Sequence, residues 1–175
     1  DGSFYCIAVA CKKDGNGAIL LYHSPDAVSW NYEGILLEND GSLGKMWECP
    51  DYFELDGKDF ILLSPQNMLP QENKYMSGSR TAYFCGKLDL SQKKFIAEYN
   101  EAVDSGIDFY ASQTVKAPDG RIILLGWMQN WDTCNLTDRG ARNWFGQMST
   151  PRELSLKNGK LVQNPIKEIE AYRIS

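Results

Sequence analysis

The sequence predicts an all-β fold built as a β-propeller, and three observations lead to that prediction. Segments rich in Tyr, Phe, Ile, Leu and Val are bounded by Gly, Asp, Asn and Pro, which is the pattern of strands separated by turns. No segment keeps a helical spacing of its apolar residues. An Asp-Gly turn followed by an apolar strand occurs three times, beginning at Asp1, Asp56 and Asp119.

The three Asp-Gly turns lie roughly 55 and 63 residues apart, and a similar series of strands follows each of them. Asp-Gly favours a tight turn because Gly accepts a positive φ at little cost. A unit of about four strands that repeats at roughly 40–60 residues is typical of a propeller blade. The alternative is a β-sandwich in which the turns recur by chance, and the repeat favours the propeller.

Each Asp-Gly turn is predicted to join the innermost strand of a blade to the next strand. Inner strands are therefore expected near residues 47–55 and 109–117, whereas the first copy has none because the chain begins at its turn. We expect an incomplete propeller of roughly three blades, two of them complete. Since an open propeller exposes the apolar flanks of its end blades, self-association is also expected.

Composition and charge exclude several classes of function. The net charge is -5 and no basic patch is present, so we expect no nucleic-acid partner. No apolar run is long enough to span a membrane. His23 is the only histidine and is expected at a strand end, which argues against a zinc site or a Ser-His-Asp triad. We expect no metal and no cofactor.

The five cysteines are odd in number, and no two of them have C-x-x-C spacing. This pattern favours free thiols in a reducing compartment and therefore a cytoplasmic location, with an extracellular one left open.

Two acids are placed at the starts of the predicted inner strands. Glu48 begins one of them and Asp108 begins the next. Because inner strands line the central channel, two acids from neighbouring blades are expected at one axial pocket. Paired carboxylates in such a pocket suggest acid–base chemistry on a glycosidic bond. The alternative is that each residue only caps a turn.

Four aromatic residues near the same strands are candidates for stacking on a sugar ring: Trp47, Tyr110, Trp127 and Trp131. The alternative for each is that it fills the core between blades. Trp127 follows a glycine in "LLGWMQNW" at the end of a strand, and it is the favoured binding residue.

The same segments carry a family resemblance. The stretches "MWECPDYFEL", "DFYASQTVKAPDGRIILLGWMQNW" and "STPRELSLKNGKL" resemble glycoside hydrolase family 32, the group of invertases, levanases and sucrose-6-phosphate hydrolases. The stretch "GAILLYHSPDAVSWNYEGIL" fits the family as well, so the resemblance covers nearly the whole chain. It implies a five-bladed propeller with a funnel-shaped site, followed by a β-sandwich. It also implies cleavage of fructosyl bonds with retention, through a covalent fructosyl–enzyme.

The resemblance assigns a role to three residues. Glu48, in the Glu-Cys-Pro element, is the general acid/base; Asp108, in "DFYA", contacts the fructosyl unit; and Trp127, in "GWM", borders the sugar site. The implied substrate is a fructose-containing oligo- or polysaccharide: sucrose, sucrose 6-phosphate or a fructan. The alternatives are a related five-bladed hydrolase acting on arabinose or xylose polymers, and a sugar-binding propeller without catalysis.

The sequence also departs from the family in elements that matter for catalysis. The family's nucleophilic aspartate, in a W-M-N-D-P-N-G-like element, and its Arg-Asp-Pro element do not occur in this sequence. We therefore expect residues 1–175 to form a partial propeller from the middle of a catalytic domain, without the N-terminal blades and the C-terminal β-sandwich. Such a piece is expected to be inactive alone.

Overall fold

A computed structural model describes residues 2–72, 74–129, 131–132 and 146–173 of the chain. In these ranges the chain forms three antiparallel sheets and one short 3-10 helix. The first sheet contains β1 (Phe4–Cys11), β2 (Gly17–Ser24) and β3 (Asn31–Glu38). The second contains β4 (Trp47–Leu55), β5 (Lys58–Pro65), β6 (Ala82–Asp89) and β7 (Lys94–Ala102). The third contains β8 (Tyr110–Lys116), β9 (Ile122–Trp127), β10 (Arg152–Lys157) and β11 (Lys160–Pro165), and the helix Lys167–Tyr172 follows it.

The sheets have the topology of propeller blades, because in each sheet every strand pairs with the next strand along the chain. The predicted inner strands near 47–55 and 109–117 are β4 and β8, each at the edge of a four-stranded sheet. These two strands contact each other, and β4 also contacts β1. Within the described ranges the first sheet has three strands and no counterpart of β4 or β8, as predicted.

The Asp-Gly turns are confirmed at the two places where the structure describes them. Asp56 and Gly57 have φ values of 50° and 78° and join β4 to β5, as in a type I′ hairpin turn. Between β8 and β9, Gly120 has a φ of 90° and donates its N–H to the carbonyl of Ala117 at 2.9 Å. Asp1 lies outside the described residues.

β5 explains how the blades pack, because both of its faces are buried. Ile61 and Leu63 belong to the core between the first and second sheets, whereas Phe60 and Leu62 belong to the core between the second and third. Successive side chains of a strand point to opposite faces, so a continuous apolar run such as "FILL" supplies two cores at once. Each fully buried side chain contributes about 1.5–3 kcal/mol to stability.

Trp47 lies in the first of these cores, and this determines which way the next residue faces. Its side chain is 1% exposed, and its indole N–H donates to the carbonyl of Leu43 at 2.9 Å. Gly17 packs so closely against it that an added Cβ would lie 2.6 Å from the Trp47 backbone nitrogen. Because neighbouring side chains alternate in a strand, Glu48 is directed away from this core.

The described cysteines and the single histidine agree with the sequence predictions. The four cysteines in the described residues are free thiols, as predicted: Cys6, Cys11, Cys49 and Cys85. Cys134 lies outside the described residues. His23 is the penultimate residue of β2, with its ring centroid 5.0 Å from that of Tyr5, which confirms a strand-end position.

The described ranges contain no helix with the length and apolar character needed to cross a bilayer.

Candidate active site

The backbone around Glu48 is fixed from both sides. The loop before β4 is held by Asn39, whose side-chain amide donates to the carbonyls of Leu43, Gly44 and Lys45 at 3.0–3.3 Å. At the end of β5, the Gln66 N–H donates to the carbonyl of Met46 at 2.9 Å, and Glu48 lies opposite Ser64 in the sheet register. Glu48 is therefore anchored at the start of its strand.

A β-bulge directly follows Glu48. Asp51 is the next residue paired with β5, opposite Leu62, so Cys49 and Pro50 together face a single residue. Cys49 adopts a φ of 50°, in the left-handed region that non-glycine residues rarely occupy. The missing N–H of Pro50 is tolerated at such a bulge. Bulges bend the strand and re-aim side chains, which makes them frequent beside active sites.

The same bulge recurs at the equivalent place in β8. Tyr110 lies opposite Trp127 and Gln113 lies opposite Leu125, so Ala111 and Ser112 face a single residue. Ala111 also has a φ of 50°. The two inner strands are therefore irregular in the same way, with Tyr110 in the position that Glu48 has in β4. Sequence patterns did not reveal either bulge, because neither positive-φ residue is Gly, Asn or Asp.

The Glu48 carboxylate is held by donors from the third blade. The Tyr110 hydroxyl donates to Glu48 Oε2 at 2.7 Å, and the Trp131 indole N–H reaches the same oxygen at 3.3 Å. The Tyr110 oxygen also lies 3.2 Å from the carbonyl oxygen of Ser64. Among the described residues, both donors to Glu48 therefore use Oε2, and none of them donates to Oε1.

Tyr110 serves as a donor rather than as a sugar platform. Its side chain is 1% exposed, so its ring belongs to the interior, as does that of Trp47; for both, the core alternative is correct. Burial raises the pKa of Tyr110, and the hydrogen bond to Glu48 and the charge of that carboxylate raise it further. The hydroxyl therefore keeps its proton across the working pH range of an enzyme.

Further polar contacts join β4 and β5 to β8. The Gln113 amide donates to the Cys49 carbonyl at 3.2 Å, and the Thr114 N–H donates to Asp51 Oδ2 at 2.6 Å. The Ala111 N–H donates to the Ser64 hydroxyl at 3.0 Å. These bonds fix the two bulges relative to each other. The position of Glu48 relative to Tyr110 is thus set by the backbones of both blades.

Asp108 is half-buried and lies two residues before Tyr110. Phe109, between them, packs its ring on Gly126, where an added Cβ would lie 2.4 Å from the ring. Gly126 directly precedes Trp127, so this close contact brings the residue after Asp108 against the residue before Trp127. This contact places the segment that carries Asp108 next to the segment that carries Trp127. That Glu48 and Asp108 share one pocket stays a prediction.

Trp127 is half-buried at the end of β9, and its ring centroid is 5.4 Å from that of Trp131 at an angle of 67°. Trp131 is 56% exposed and joins this pair to Glu48 through its N–H. Its neighbour Asp132 accepts the Ser79 N–H at 2.7 Å, which ties this segment to the second blade. The sequence favours Trp127 over Trp131 as a binding residue, although the Trp131 indole N–H is the one that the described residues show reaching Glu48.

The arrangement supplies a carboxyl group with one anchored oxygen beside a half-exposed indole pair. A carboxyl group so placed can give and accept a proton, and exposed indoles can cover the apolar face of a sugar. The part of the chain that the structure describes holds no group of three or more His, Cys, Asp or Glu side chains arranged to bind a metal ion.

Comparisons with known proteins point to one family. A family model described as "Glycosyl hydrolases family 32 N-terminal domain" matches residues 1–165. A sucrose-6-phosphate hydrolase of Staphylococcus xylosus is 36% identical over 174 residues, which are 99% of this chain and 35% of that protein. A sucrose-6-phosphate hydrolase of Escherichia coli is 35% identical over 168 residues, 95% of this chain and 35% of that protein.

Solved structures agree in fold over the whole chain. A Bombyx mori GH32 beta-fructofuranosidase mutant in complex with sucrose has a TM-score of 0.91 and 35% identity, covering 100% of this chain and 37% of that one. The sucrose-6-phosphate hydrolase of Lactobacillus gasseri has a TM-score of 0.83 and 27% identity, covering 98% and 36%. The chain thus spans about a third of the length of the relatives it matches.

Proposed function

The chain belongs to glycosyl hydrolase family 32, and we propose that it is the middle part of the catalytic domain of a retaining β-fructofuranosidase. On this proposal, the nucleophile and the remaining blades are supplied by other parts of the full-length protein. The proposal is supported by the family match and by relatives that are named as sucrose-6-phosphate hydrolases. We expect residues 1–175 alone to hydrolyse no fructoside, because a retaining mechanism needs a second carboxylate about 5–5.5 Å from the acid, and the family's element with that aspartate does not occur in this sequence.

Glu48 is the general acid/base of the proposed reaction, and its hydrogen bonds are the observation that carries this assignment. In the first step the carboxyl group gives its proton to the glycosidic oxygen while the nucleophile attacks the anomeric carbon. In the second step the carboxylate takes a proton from the water that releases the fructosyl group. A residue that acts twice has to keep its position in both charge states, and Tyr110 and Trp131 hold Oε2.

Asp108 and Trp127 are proposed to contact the fructosyl unit, with Trp131 beside them. The aspartate would accept hydrogen bonds from sugar hydroxyls, and the indole pair would cover an apolar face of the ring. The proposed substrate is a fructose-containing saccharide such as sucrose, sucrose 6-phosphate or a fructan. The sucrose complex of the Bombyx mori relative and the names of the bacterial relatives support a sucrose-type substrate.

The test is Glu48→Ala in the full-length protein. Turnover of sucrose should fall by roughly 10²- to 10⁴-fold, as expected for the loss of general acid catalysis. An activated fructoside with a good leaving group needs little protonation, so the first step with that substrate should be largely spared. Added azide should then release the covalent intermediate, since an anionic nucleophile needs no base.

Glu54→Ala is the matched control, because Glu54 is an exposed acid of the same strand. Its turnover should stay close to that of the unmodified protein. If Glu48→Ala slows both substrates equally and azide has no effect, Glu48 is not the acid/base. Release of arabinose from arabinan instead of fructose from sucrose would contradict the proposed substrate class.

A further inference from the structure

The two oxygens of the Glu48 carboxylate have different surroundings. Oε2 lies 2.7 Å from the Tyr110 hydroxyl and 3.3 Å from the Trp131 indole nitrogen, and both of these groups are donors. Oε1 receives no hydrogen bond from the described residues. A proton on Oε2 would have to displace one of the two donors, whereas a proton on Oε1 leaves both in place. With respect to the Tyr110 and Trp131 donors, the exchangeable proton of Glu48 therefore belongs on Oε1.

The Tyr110 hydroxyl has one proton and two acceptors within reach. The first is Glu48 Oε2, and the second is the Ser64 carbonyl oxygen at 3.2 Å. When Glu48 is ionised, Oε2 is much the stronger acceptor, and the Tyr110 hydroxyl donates its hydrogen bond to it. When Glu48 is neutral, Oε2 is an ordinary carbonyl oxygen and the Ser64 carbonyl competes with it. The buried hydroxyl is thus satisfied in both charge states, which avoids the cost of a buried donor without an acceptor.

The groups around Glu48 and Tyr110 do not disturb the hydrogen bond between them. Cys49 adjoins Glu48, and its pKa is raised by burial and then by the charge of Glu48, so the thiol stays neutral. Ser64 of β5 and Gln66, which directly follows that strand, are neutral groups next to the Tyr110 hydroxyl. Asp51 is turned to the Thr114 N–H.

We propose that Tyr110 is a positioning residue that anchors Glu48 through Oε2 and so reserves Oε1 for proton transfer in both steps of the reaction. This inference rests on the proposed function. In the first step the O–H bond at Oε1 breaks and its proton goes to the leaving oxygen. In the second step one proton of the attacking water passes to Oε1 of Glu48, while the rest of the water molecule bonds to the fructosyl group and releases it from the nucleophile. Tyr110 exchanges no proton in either step.

The experiment is Tyr110→Phe in the full-length protein, with kcat and KM measured for sucrose and for an activated fructoside. Sucrose reports the step in which Glu48 acts as an acid, and the activated substrate reports release of the intermediate, in which it acts as a base. Loss of a hydrogen bond to a charged group should lower kcat roughly 10- to 100-fold for both substrates, with KM little changed. A change confined to KM, or to one of the two steps, would overturn the inference.

Tyr52→Phe is the matched control. Its hydroxyl also donates to carboxylates, reaching Glu54 and Asp59 at 3.1 Å each, and it lies in the same strand as Glu48. Its kcat should stay within a few-fold of the unmodified protein. If Tyr52→Phe and Tyr110→Phe lose the same activity, the role of Tyr110 is general stabilisation of the fold and not the anchoring of Glu48.

A double-mutant cycle separates positioning from structure. A residue that acts only through Glu48 has nothing left to do once that side chain is removed, so Tyr110→Phe should leave the residual rate of Glu48→Ala unchanged. If Tyr110→Phe instead lowers the rate of Glu48→Ala by the same factor as in the unmodified protein, the inference is overturned, while the acid/base role of Glu48 stays intact. If Glu48→Ala itself fails its test with the activated fructoside and azide, the proposed function fails, and this inference fails with it.

Replacement of Tyr110 by 3-fluorotyrosine decides the case if Tyr110→Phe does not fold. The ring and its packing are kept, and the fluorine makes the hydroxyl a stronger donor. A stronger donor to Oε2 favours ionised Glu48, so release of the covalent intermediate should slow several-fold. An unchanged release rate would contradict the anchoring role.

Discussion

The second blade packs against its two neighbours in different ways. Towards the first blade the buried side chains are apolar, with Trp47 among residues such as Ile19 and Leu63, and the side-chain contacts of Lys93 with Glu33 and of Lys94 with the Ile35 carbonyl lie at the surface. Towards the third blade an apolar core is also present, but the inner strands add polar contacts that include Glu48 and Tyr110. The two faces of one blade therefore do different work: the apolar face stabilises the fold, and the polar face determines the positions of reactive groups.

Energetics explains this division. Apolar burial contributes about 25 cal/mol for each Å² removed from water and is not directional. Buried polar groups gain little net free energy, but their hydrogen bonds fix distance and angle, and they are costly when a partner is lost. A site that has to hold a carboxylate within a fraction of an ångström thus needs the second kind of contact, placed on top of the first.

The largest expected effect lies on the apolar face. Trp47→Ala removes a fully buried indole and its hydrogen bond to Leu43, so the free energy of unfolding should fall by about 3–5 kcal/mol. Urea unfolding of the full-length protein, followed on the propeller transition, measures this loss. Trp30→Ala is the control, since Trp30 is 42% exposed and its loss should change stability far less. If Trp47→Ala and Trp30→Ala lower the free energy of unfolding equally, the apolar face does not have the stabilising role described above.

The sequence was most informative where local chemistry repeats. The Asp-Gly turns at Asp56 and Asp119 mark hairpins, and they correctly predicted both inner strands. The alternation of side chains in a strand also predicts that Trp47 and Glu48 face opposite sides, which would have excluded Trp47 as a sugar-binding residue. The order of strands in a blade can thus be predicted from turn residues and from the two-residue period of strands.

The hydrogen-bond partner of Glu48 could not be predicted from the sequence. Tyr110 lies in the next blade, 62 residues further along the chain, and no local spacing shows which side chain reaches across. The bulges were also hidden, because Cys49 and Ala111 adopt positive φ without being typical turn residues. Long-range contacts and backbone irregularities are set by packing between blades. Residue spacing made Glu48 and Asp108 a candidate acid–base pair and Trp127 the favoured binding residue, and the family resemblance then assigned a separate role to each.

A smaller effect is expected on the polar face from Trp131→Phe. The substitution keeps an aromatic ring next to Trp127 but removes the N–H that reaches Glu48 Oε2 at 3.3 Å. Because this bond is long and Trp131 is 56% exposed, kcat for sucrose should fall only a few-fold, and less than in Tyr110→Phe. Steady-state kinetics of both variants gives the comparison. A larger loss in Trp131→Phe would make the indole, and not the tyrosine, the main anchor.

The smallest effect concerns the charge of Asp51, which is half-buried on the polar face. Burial raises the pKa of its carboxyl group, and the hydrogen bonds from Thr114 oppose that rise only in part. An acid whose pKa is higher in the folded state is bound to its proton more tightly there than in the unfolded chain. Its contribution to stability is therefore greatest below the unfolded pKa and declines as the pH rises through the folded one.

Asp51→Asn removes this dependence and keeps an oxygen that can accept the Thr114 N–H. The variant should gain stability relative to the unmodified protein as the pH is raised from about 3 towards neutrality, where the ordinary Asp pKa is about 3.9. Asp89→Asn is the control of opposite sign, because the Ser91 side chain and the Gln92 N–H lower the pKa of Asp89. That variant should lose relative stability over the same range. Urea midpoints measured at several pH values test both predictions. If the stability of the two variants relative to the unmodified protein changes with pH in the same direction, burial on the polar face does not govern the titration of Asp51.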